Sequence, residues 1–529
     1  MAAPVLPSQT DPFIRATSAI IGGPPGRHSR LHERRFWLPV RVLLALTAFV
    51  CALGWMNKSL CATHGYSHEY QYTRVCYTDV LALWYAEGLD SGKIPLLDNI
   101  TPQPGAGGVV HHKYVEYPVI IAGLMGAAEG ATHVFINPTS AEQHAIAAAQ
   151  VSGASQDVKN KATTAQSDYS ARRARFFFDV TAAILLICAL CTVVLTGLTA
   201  GKRRIWDAAL IGAAPALALH GDVNWDLAAV AFTAGALFAW SRKAPAVAGL
   251  LLGLGVATKF YPLLLLVPLF ALCLRAGQMR AFRRLVLAAS AAWLVVDLPV
   301  WLANPAGFGR FYAFNSARGT EYNSLLYAFQ YAVFGANHFW DPQDQAAGRP
   351  PFWLNLWSAT LLGLLLLAVV ALIGWAPRRP RLGQVAFLSV LAFMLTNKVY
   401  SPQYVLWLLP LFALARPRWR AFLVWQATEV LLLILLYAHL IYVDTASTQL
   451  RGIAYPWFFF FGVLPRDLVL LGIAGLVVRE IFSPELDVVR RDGVDDPAGG
   501  LLDGAPDRHP RHRAARHAYG DVLVSAGNT

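Results

Sequence analysis

Charge is what this chain of 529 residues has least of: Asp, Glu, Lys and Arg make up 14% of it, where a soluble globular chain carries about 25%. That shortage, set beside 56% hydrophobic residues, excludes a string of soluble domains and points to a polytopic membrane protein. Other absences narrow the class. No Walker loop, dinucleotide glycine fingerprint or hydrolase nucleophile elbow occurs, so nothing favours a nucleotide at the inner face. The net charge of +12 forms no basic stripe with interleaved aromatics, so nucleic acid is not a partner. His111 and His112 lack companions at zinc-ligand spacing and read as loop residues.

What the chain does have is apolar runs of about 16 to 24 residues, recurring from Phe36 to Val478. Lys and Arg fall in short clusters between them: Arg27 to Arg35, Lys202 to Arg204, Arg242-Lys243, Arg275 to Arg284, Arg378 to Arg381, Arg416 to Arg420 and Arg479 onward. Cytoplasmic loops carry the Lys/Arg excess, so these clusters mark the inside. The polar turns between them then fall outside: His220 to Asp226, Thr258 to Pro262, Asn304 to Pro351, Asn397 to Tyr404 and Asp444 to Pro456.

The pattern predicts an all-α integral membrane bundle of about twelve transmembrane helices, with a large first extracytoplasmic loop and both termini cytoplasmic. Residues 1–35 read as a disordered cytoplasmic arm rather than a cleaved signal, because no small-residue site closes the first run. Residues 36–480 form the membrane domain, with 58–175 as the extracytoplasmic loop and its interfacial helices. Residues 481–529 read as a disordered cytoplasmic tail. Tyr117 to Ile136 is apolar enough to cross, but a lone crossing would invert every downstream inside mark. It is expected to lie in or dip into the outer leaflet, with a two-pass hairpin as the alternative. Several runs, such as Ala246 to Ala257 and Val385 to Thr396, are short for a bilayer and suit helices that end early around a cavity.

Of six cysteines, Cys51, Cys188, Cys191 and Cys273 lie inside apolar runs. Cys61 and Cys76 bracket the start of the external loop. A disulfide between them would be worth roughly 3 kcal/mol on the chain-entropy model; two free thiols are the equal alternative.

The candidate chemistry gathers on the outer face. Asp79, in Tyr77-Thr-Asp79, either caps the helix that follows or sits at the membrane interface as a carboxylate able to take a proton from an acceptor hydroxyl. Asp222, Asn224 and Asp226 crowd one turn among apolar neighbours, which implies a wet cavity. They would admit a divalent cation without defining a metal site, and no cofactor is expected. Lys259 and Lys398 each end an apolar run and precede an aromatic and a proline. One such lysine reads as snorkelling, but two, joined by Arg318 and by Arg310 or Lys113, suggest a phosphate site. Tyr261, Ser401, Gln403 and Tyr404 offer neutral hydrogen bonds, and Glu116 and Tyr117 close the loop. Pro262 and Pro402 keep the outer helix ends irregular.

The external Asp79, the turn Asn224-Trp-Asp226, Gly253-Leu-Gly-Val-Ala-Thr-Lys-Phe-Tyr-Pro262 and Tyr400-Ser-Pro-Gln-Tyr-Val-Leu-Trp-Leu-Leu-Pro410 together resemble the GT-C superfamily of polyprenyl-phosphate-sugar glycosyltransferases. The closest resemblance is to glycosyltransferase family 87, its actinobacterial mannosyltransferase-like group, over Phe36 to Val478. It implies a GT-C-type bundle and inverting transfer from a polyprenyl-phosphate sugar to a cell-envelope glycan or glycolipid, at the outer face of a bacterial plasma membrane, with Asp79 as general base. Glu116-Tyr-Pro118 departs from the family's commoner Tyr-Pro-Pro, so mannose is the first expectation, with arabinofuranose or another sugar open. The reading from a different class is a transporter or flippase of a lipid-linked glycan, which needs polar groups along a path to the inner face. A non-catalytic scaffold would leave the buried Lys and Asp residues without a reason.

Overall fold

Backbone in a bilayer must satisfy its own hydrogen bonds, and a chain this apolar does so as helix. The computed structural model describes residues 6, 9, 11–23, 38–64, 68–98, 114–152, 155–335, 349–443, 452–490 and 495–508, and among these the elements are all helical. In chain order the ones used below are α1 (Pro12–Ile20), α2 (Pro39–His64), α3 (Asp79–Ala86), α4 (Val119–Phe135), α5 (Ser140–Ala149), α6 (Gln156–Ala200), α7 (Asp226–Ser241) and α8 (Pro245–Thr258). They continue with α9 (Met279–Ala303), α10 (Pro305–Ala317), α11 (Phe352–Trp375), α12 (Leu382–Thr396), α13 (Val405–Ala415), α14 (Trp419–Val443) and α15 (Leu464–Phe482).

Six helices are long and apolar enough to cross a membrane, and the pair α4 and α5, bent by 92°, brings the number to as many as seven. The expectation of about twelve spans counted shorter helices too, among them α7, α8, α12 and α13, all of 10–17 residues. Three of these short helices, α7, α12 and α13, form the core. Every residue of α13 is buried, as are nearly all of α12 and most of α7. The long α9 and α11 bury only three residues each and turn the rest of their apolar surface outward, as lipid-facing helices do. Small residues set the spacing between the layers: a Cβ on Gly249 would collide with the Leu285 carbonyl oxygen, and one on Gly253 with that of Ala289. The Gly-x-x-x-Gly face of α8 thus lets its backbone touch α9, which fixes where α8 ends and Lys259 begins.

The expected external loop is organised by helices. Cys61 and Cys76 are joined as a disulfide, and Lys58 donates to the Val75 carbonyl at 3.0 Å, so the chain folds back onto α2 just before Asp79. The polar stretch after α4 becomes α5 and the first half of α6, a 45-residue helix about 67 Å long. Arg172 of α6 pairs with Glu142 of α5. The apolar segment Val119–Phe135 packs along α6, α8 and α9 through Ile121, Ala122, Met125 and Ala128.

The far end corrects the expectation of a disordered tail from residue 481. Residues 484–490 and 495–508 are folded onto the basic clusters. Arg381 pairs with Asp487 at 2.6 Å and caps the end of α13 through the Leu414 and Ala415 carbonyls. Arg275 pairs with Asp507, and Trp240 donates to the Gly499 carbonyl at 2.8 Å. A composition poor in apolar residues reads as disorder because it cannot build a core of its own; here the tail orders by supplying carboxylates to arginines already fixed on helices. The N-terminal arm is likewise not featureless, since α1 forms within it and Asp11 accepts from the Trp419 amide at 2.9 Å. Residues 1–5, 7–8, 10, 24–35 and 509–529 lie outside the described residues.

Candidate active site

Two readings of Asp79 are separated by the start of α3. The cap is Thr78, whose hydroxyl accepts from the Val80 amide and donates to the Asp222 carbonyl at 2.7 Å. With that role filled by its neighbour, Asp79 keeps its carboxylate for the cavity. Its own amide donates to the Val223 carbonyl at 2.9 Å, so the turn between His220 and Asp226 grips the helix start. Tyr77 donates to one carboxylate oxygen at 2.7 Å and Asn224 to the other at 2.8 Å. Asn224 cannot flip cheaply, because its oxygen accepts from the Trp225 amide while its nitrogen also reaches the Tyr117 hydroxyl at 2.9 Å. Burial pushes the Asp79 carboxyl above the usual carboxylate range, against the pull of these two hydrogen bonds and of Lys259.

Asp79 opens onto a cavity of about 720 Å³, within the size range of small-molecule sites. Glu116, Tyr117, Asn224, Lys259, Tyr261, Arg318, Lys398, Ser401, Gln403 and Tyr404, all singled out in the sequence, line it too. Two of the expected acids do not. Asp226 stands behind the wall, fully buried, accepting from the Trp407 indole at 2.7 Å and from Lys259 at 3.4 Å. Its role is to hold Trp407, which is sandwiched between Tyr404 at 3.9 Å and Tyr261 at 4.4 Å between ring centroids. Asp222 is buried on the other side of the turn, where the charge acting on it is Lys58. Among the described residues no group of three or more His, Cys, Asp or Glu is placed to hold a metal ion.

The lysines also differ from each other. Lys259 keeps only the long contact to Asp226 and lies 5.6 Å over the Tyr117 ring, facing the cavity. Lys398 donates to the Ser316 carbonyl at 3.0 Å, the Arg318 carbonyl at 2.6 Å and the Asn355 side chain at 2.6 Å. An ammonium has three protons to give, so the expected phosphate ligand is instead the clasp that shapes the segment carrying Arg318. Burial and the nearby Arg318 bring its ammonium down to about 8. Arg318 itself projects into the cavity, stacked 5.2 Å over Phe314 and paired with Glu321. Arg310 is paired with Glu116, and Lys113, like His111 and His112, lies outside the described residues. Short 3₁₀ turns at Tyr261–Leu265 and Pro402–Tyr404 follow the two lysines, so the helix ends around the cavity are irregular where Pro262 and Pro402 stand.

Sequence reasoning passed over Tyr77, Glu321 and Tyr437 as lining residues. Tyr77 adjoins Asp79 and Glu321 stands three residues after Arg318, so adjacency was the signal for both; Tyr437, within the apolar α14, offered none.

Residues 171–402 match the model of glycosyltransferase family 87. The matched segment includes Asn224, Asp226, Lys259, Arg318, Glu321 and Lys398; Asp79 lies before it. No curated protein matches the chain in sequence.

Proposed function

We propose that the chain is an integral-membrane glycosyltransferase that moves a sugar, mannose first among the candidates, from a polyprenyl-phosphate donor to a hydroxyl of a cell-envelope glycan or glycolipid. Transfer inverts the anomeric centre. The observation that carries this reading is one cavity lined at once by a hydrogen-bonded, half-buried carboxylate, Asp79, and by two cations, Lys259 and Arg318. The match of 171–402 to glycosyltransferase family 87 supports the reaction class.

The acceptor hydroxyl hydrogen-bonds to Asp79, which takes its proton as the oxygen attacks the anomeric carbon. The bond from that carbon to the phosphate oxygen breaks, and its electron pair leaves on the phosphate. Lys259 and Arg318 face the charge that develops there, where a preorganised cation lowers the barrier most. A carboxyl held above the ordinary range is better matched to this work than a solvated one, because base strength rises with pKa. The aromatic wall of Tyr261, Tyr404 and Trp407 gives the sugar a face to rest on.

Sidedness follows from charge. Arg204, Arg275, Arg379, Arg381 and Arg416 gather at the end of the bundle bound by the tail, and Asp226 and Asp79 are at the other end of α7. The positive-inside rule puts the arginine end and both termini in the cytoplasm and the cavity at the extracytoplasmic side of the plasma membrane. The packing of 495–508 across the arginine end also favours transfer over export of a lipid-linked glycan, which needs a polar path through it.

The test is transfer by the purified protein from a panel of radiolabelled donors. Label is expected to pass to acceptor from one polyprenyl-phosphate sugar and from no nucleotide sugar. Transfer from a nucleotide sugar in the absence of lipid phosphate would overturn the proposal.

A further inference from the structure

Glu321 has no part in the transfer as drawn, yet it is placed at the centre of the cation site. Its backbone is pinned on both sides: its amide donates to the Lys398 carbonyl at 2.9 Å, and its carbonyl accepts from the Ser324 hydroxyl at 2.8 Å. Lys398 in turn holds the carbonyls of Ser316 and Arg318. Only the side chain has latitude, and its carboxylate is divided between the Arg318 guanidinium and the Ser401 hydroxyl, the latter at 3.3 Å.

The charges lining the cavity balance before any substrate arrives. Asp79, Glu116 and Glu321 stand against Lys259, Arg318 and Lys398. A donor phosphodiester brings one more negative charge. It cannot recruit Lys398, whose three donors are spent on Ser316, Arg318 and Asn355. The planar guanidinium of Arg318, supported on Phe314, is the group whose fork of N–H donors suits phosphate and carboxylate alike. Both ligands want the same N–H groups.

Resting on the transfer reading above, we infer that Glu321 is an exchangeable counter-ion: it holds Arg318 in the empty cavity, yields the guanidinium to the donor phosphate, and reclaims it to expel the lipid phosphate left after transfer. The leaving group carries more charge than the donor, since the diester becomes a monoester, so without a competing carboxylate it would dwell on Arg318 and Lys259. Glu321 is therefore a positioning residue that sets the rate of product release.

The experiment measures binding of a short-chain polyprenyl monophosphate to the purified protein in detergent, alongside steady-state transfer. Glu321→Gln keeps the shape and removes the competing charge. It is expected to bind the monophosphate about tenfold tighter, the equivalent of one charge-assisted hydrogen bond no longer lost in competition, and to lower kcat and KM together. Glu321→Asp, with a shorter reach to Arg318, is expected to bind roughly threefold tighter than wild type; it decides the matter if thermal unfolding shows that the Gln variant does not fold. A variant that folds and binds no tighter, or more weakly, overturns the inference, because a merely structural Glu321 would disorder Arg318 when removed. A wild-type protein that binds no polyprenyl phosphate, or an Arg318→Met variant that binds it undiminished, would instead refute the transfer reading.

Discussion

Asp79→Asn is expected to slow transfer by roughly 10²–10⁴-fold, the range a positioned general base contributes, while the protein still folds and inserts. The amide keeps the volume and can still accept from Tyr77 through its oxygen. Its nitrogen, however, would face the Asn224 nitrogen, two donors across a 2.8 Å contact, and that mismatch costs about 1–3 kcal/mol. A variant that unfolds a few degrees lower yet transfers hundreds of times more slowly has lost chemistry rather than structure. The wild-type pH profile offers a second readout. The base works only when deprotonated, and burial holds the Asp79 carboxyl above the ordinary aspartate range. Activity should therefore fall on the acid side at a higher pH than a solvated aspartate would give, and the same limb should vanish from the residual activity of the Asn variant. An Asn variant as active as wild type would remove Asp79 from the mechanism.

Lys259→Met is expected to have two separable effects. Its first is on stability: Asp226 is fully buried, and without Lys259 it keeps only the Trp407 indole as a partner. Breaking a buried pair by deleting one side costs about 3–5 kcal/mol, because the remaining charge has nowhere to go. Its second is on chemistry, through the phosphate charge that Lys259 no longer meets; losing one preorganised group of this kind costs roughly 10²–10³-fold in rate. Joining Asp226→Asn to Lys259→Met separates them. The double variant removes both charges, and the introduced amide can still accept from Trp407 through its oxygen, so melting temperature should recover much of the loss. Transfer should not recover. If activity returned together with stability, Lys259 would be a structural partner of Asp226 and the leaving phosphate would have to be met elsewhere.

How much of this could be read from residues alone follows from the range of the interactions. Apolar runs and arginine clusters are local signals, and they carried the helical membrane architecture and the grouping of polar turns at one end. Asp79, Asn224, Tyr117 and Lys259 stood out because polar side chains in apolar surroundings need a reason, and the fold brings all four to one cavity. Partner choice was not legible. Lys259 and Lys398 look alike in sequence, each followed by an aromatic and a proline, but Lys398 meets Ser316, 82 positions away, and Lys259 meets Asp226. Asp222 and Asp226 share a turn, yet the helical start at Asp226 sends their carboxylates to opposite sides of it. The tail was misread for the same reason: Arg381 and Asp487 are 106 positions apart, and nothing in the tail's composition announces that its acids have arginines waiting. The cysteine pair is intermediate, since spacing allowed a bond and left free thiols open until Cys61 and Cys76 were placed together.

One cavity must serve base and leaving group together, and locating a bound phosphate tests that requirement most directly. An electron cryomicroscopy structure with polyprenyl phosphate should show the phosphorus held between the Lys259 ammonium and the Arg318 guanidinium, with Glu321 turned off Arg318 and the Asp79 carboxylate across an open space the size of one sugar. A phosphate lodged among the arginines at the tail end of the bundle, or anywhere out of reach of Asp79, would contradict it.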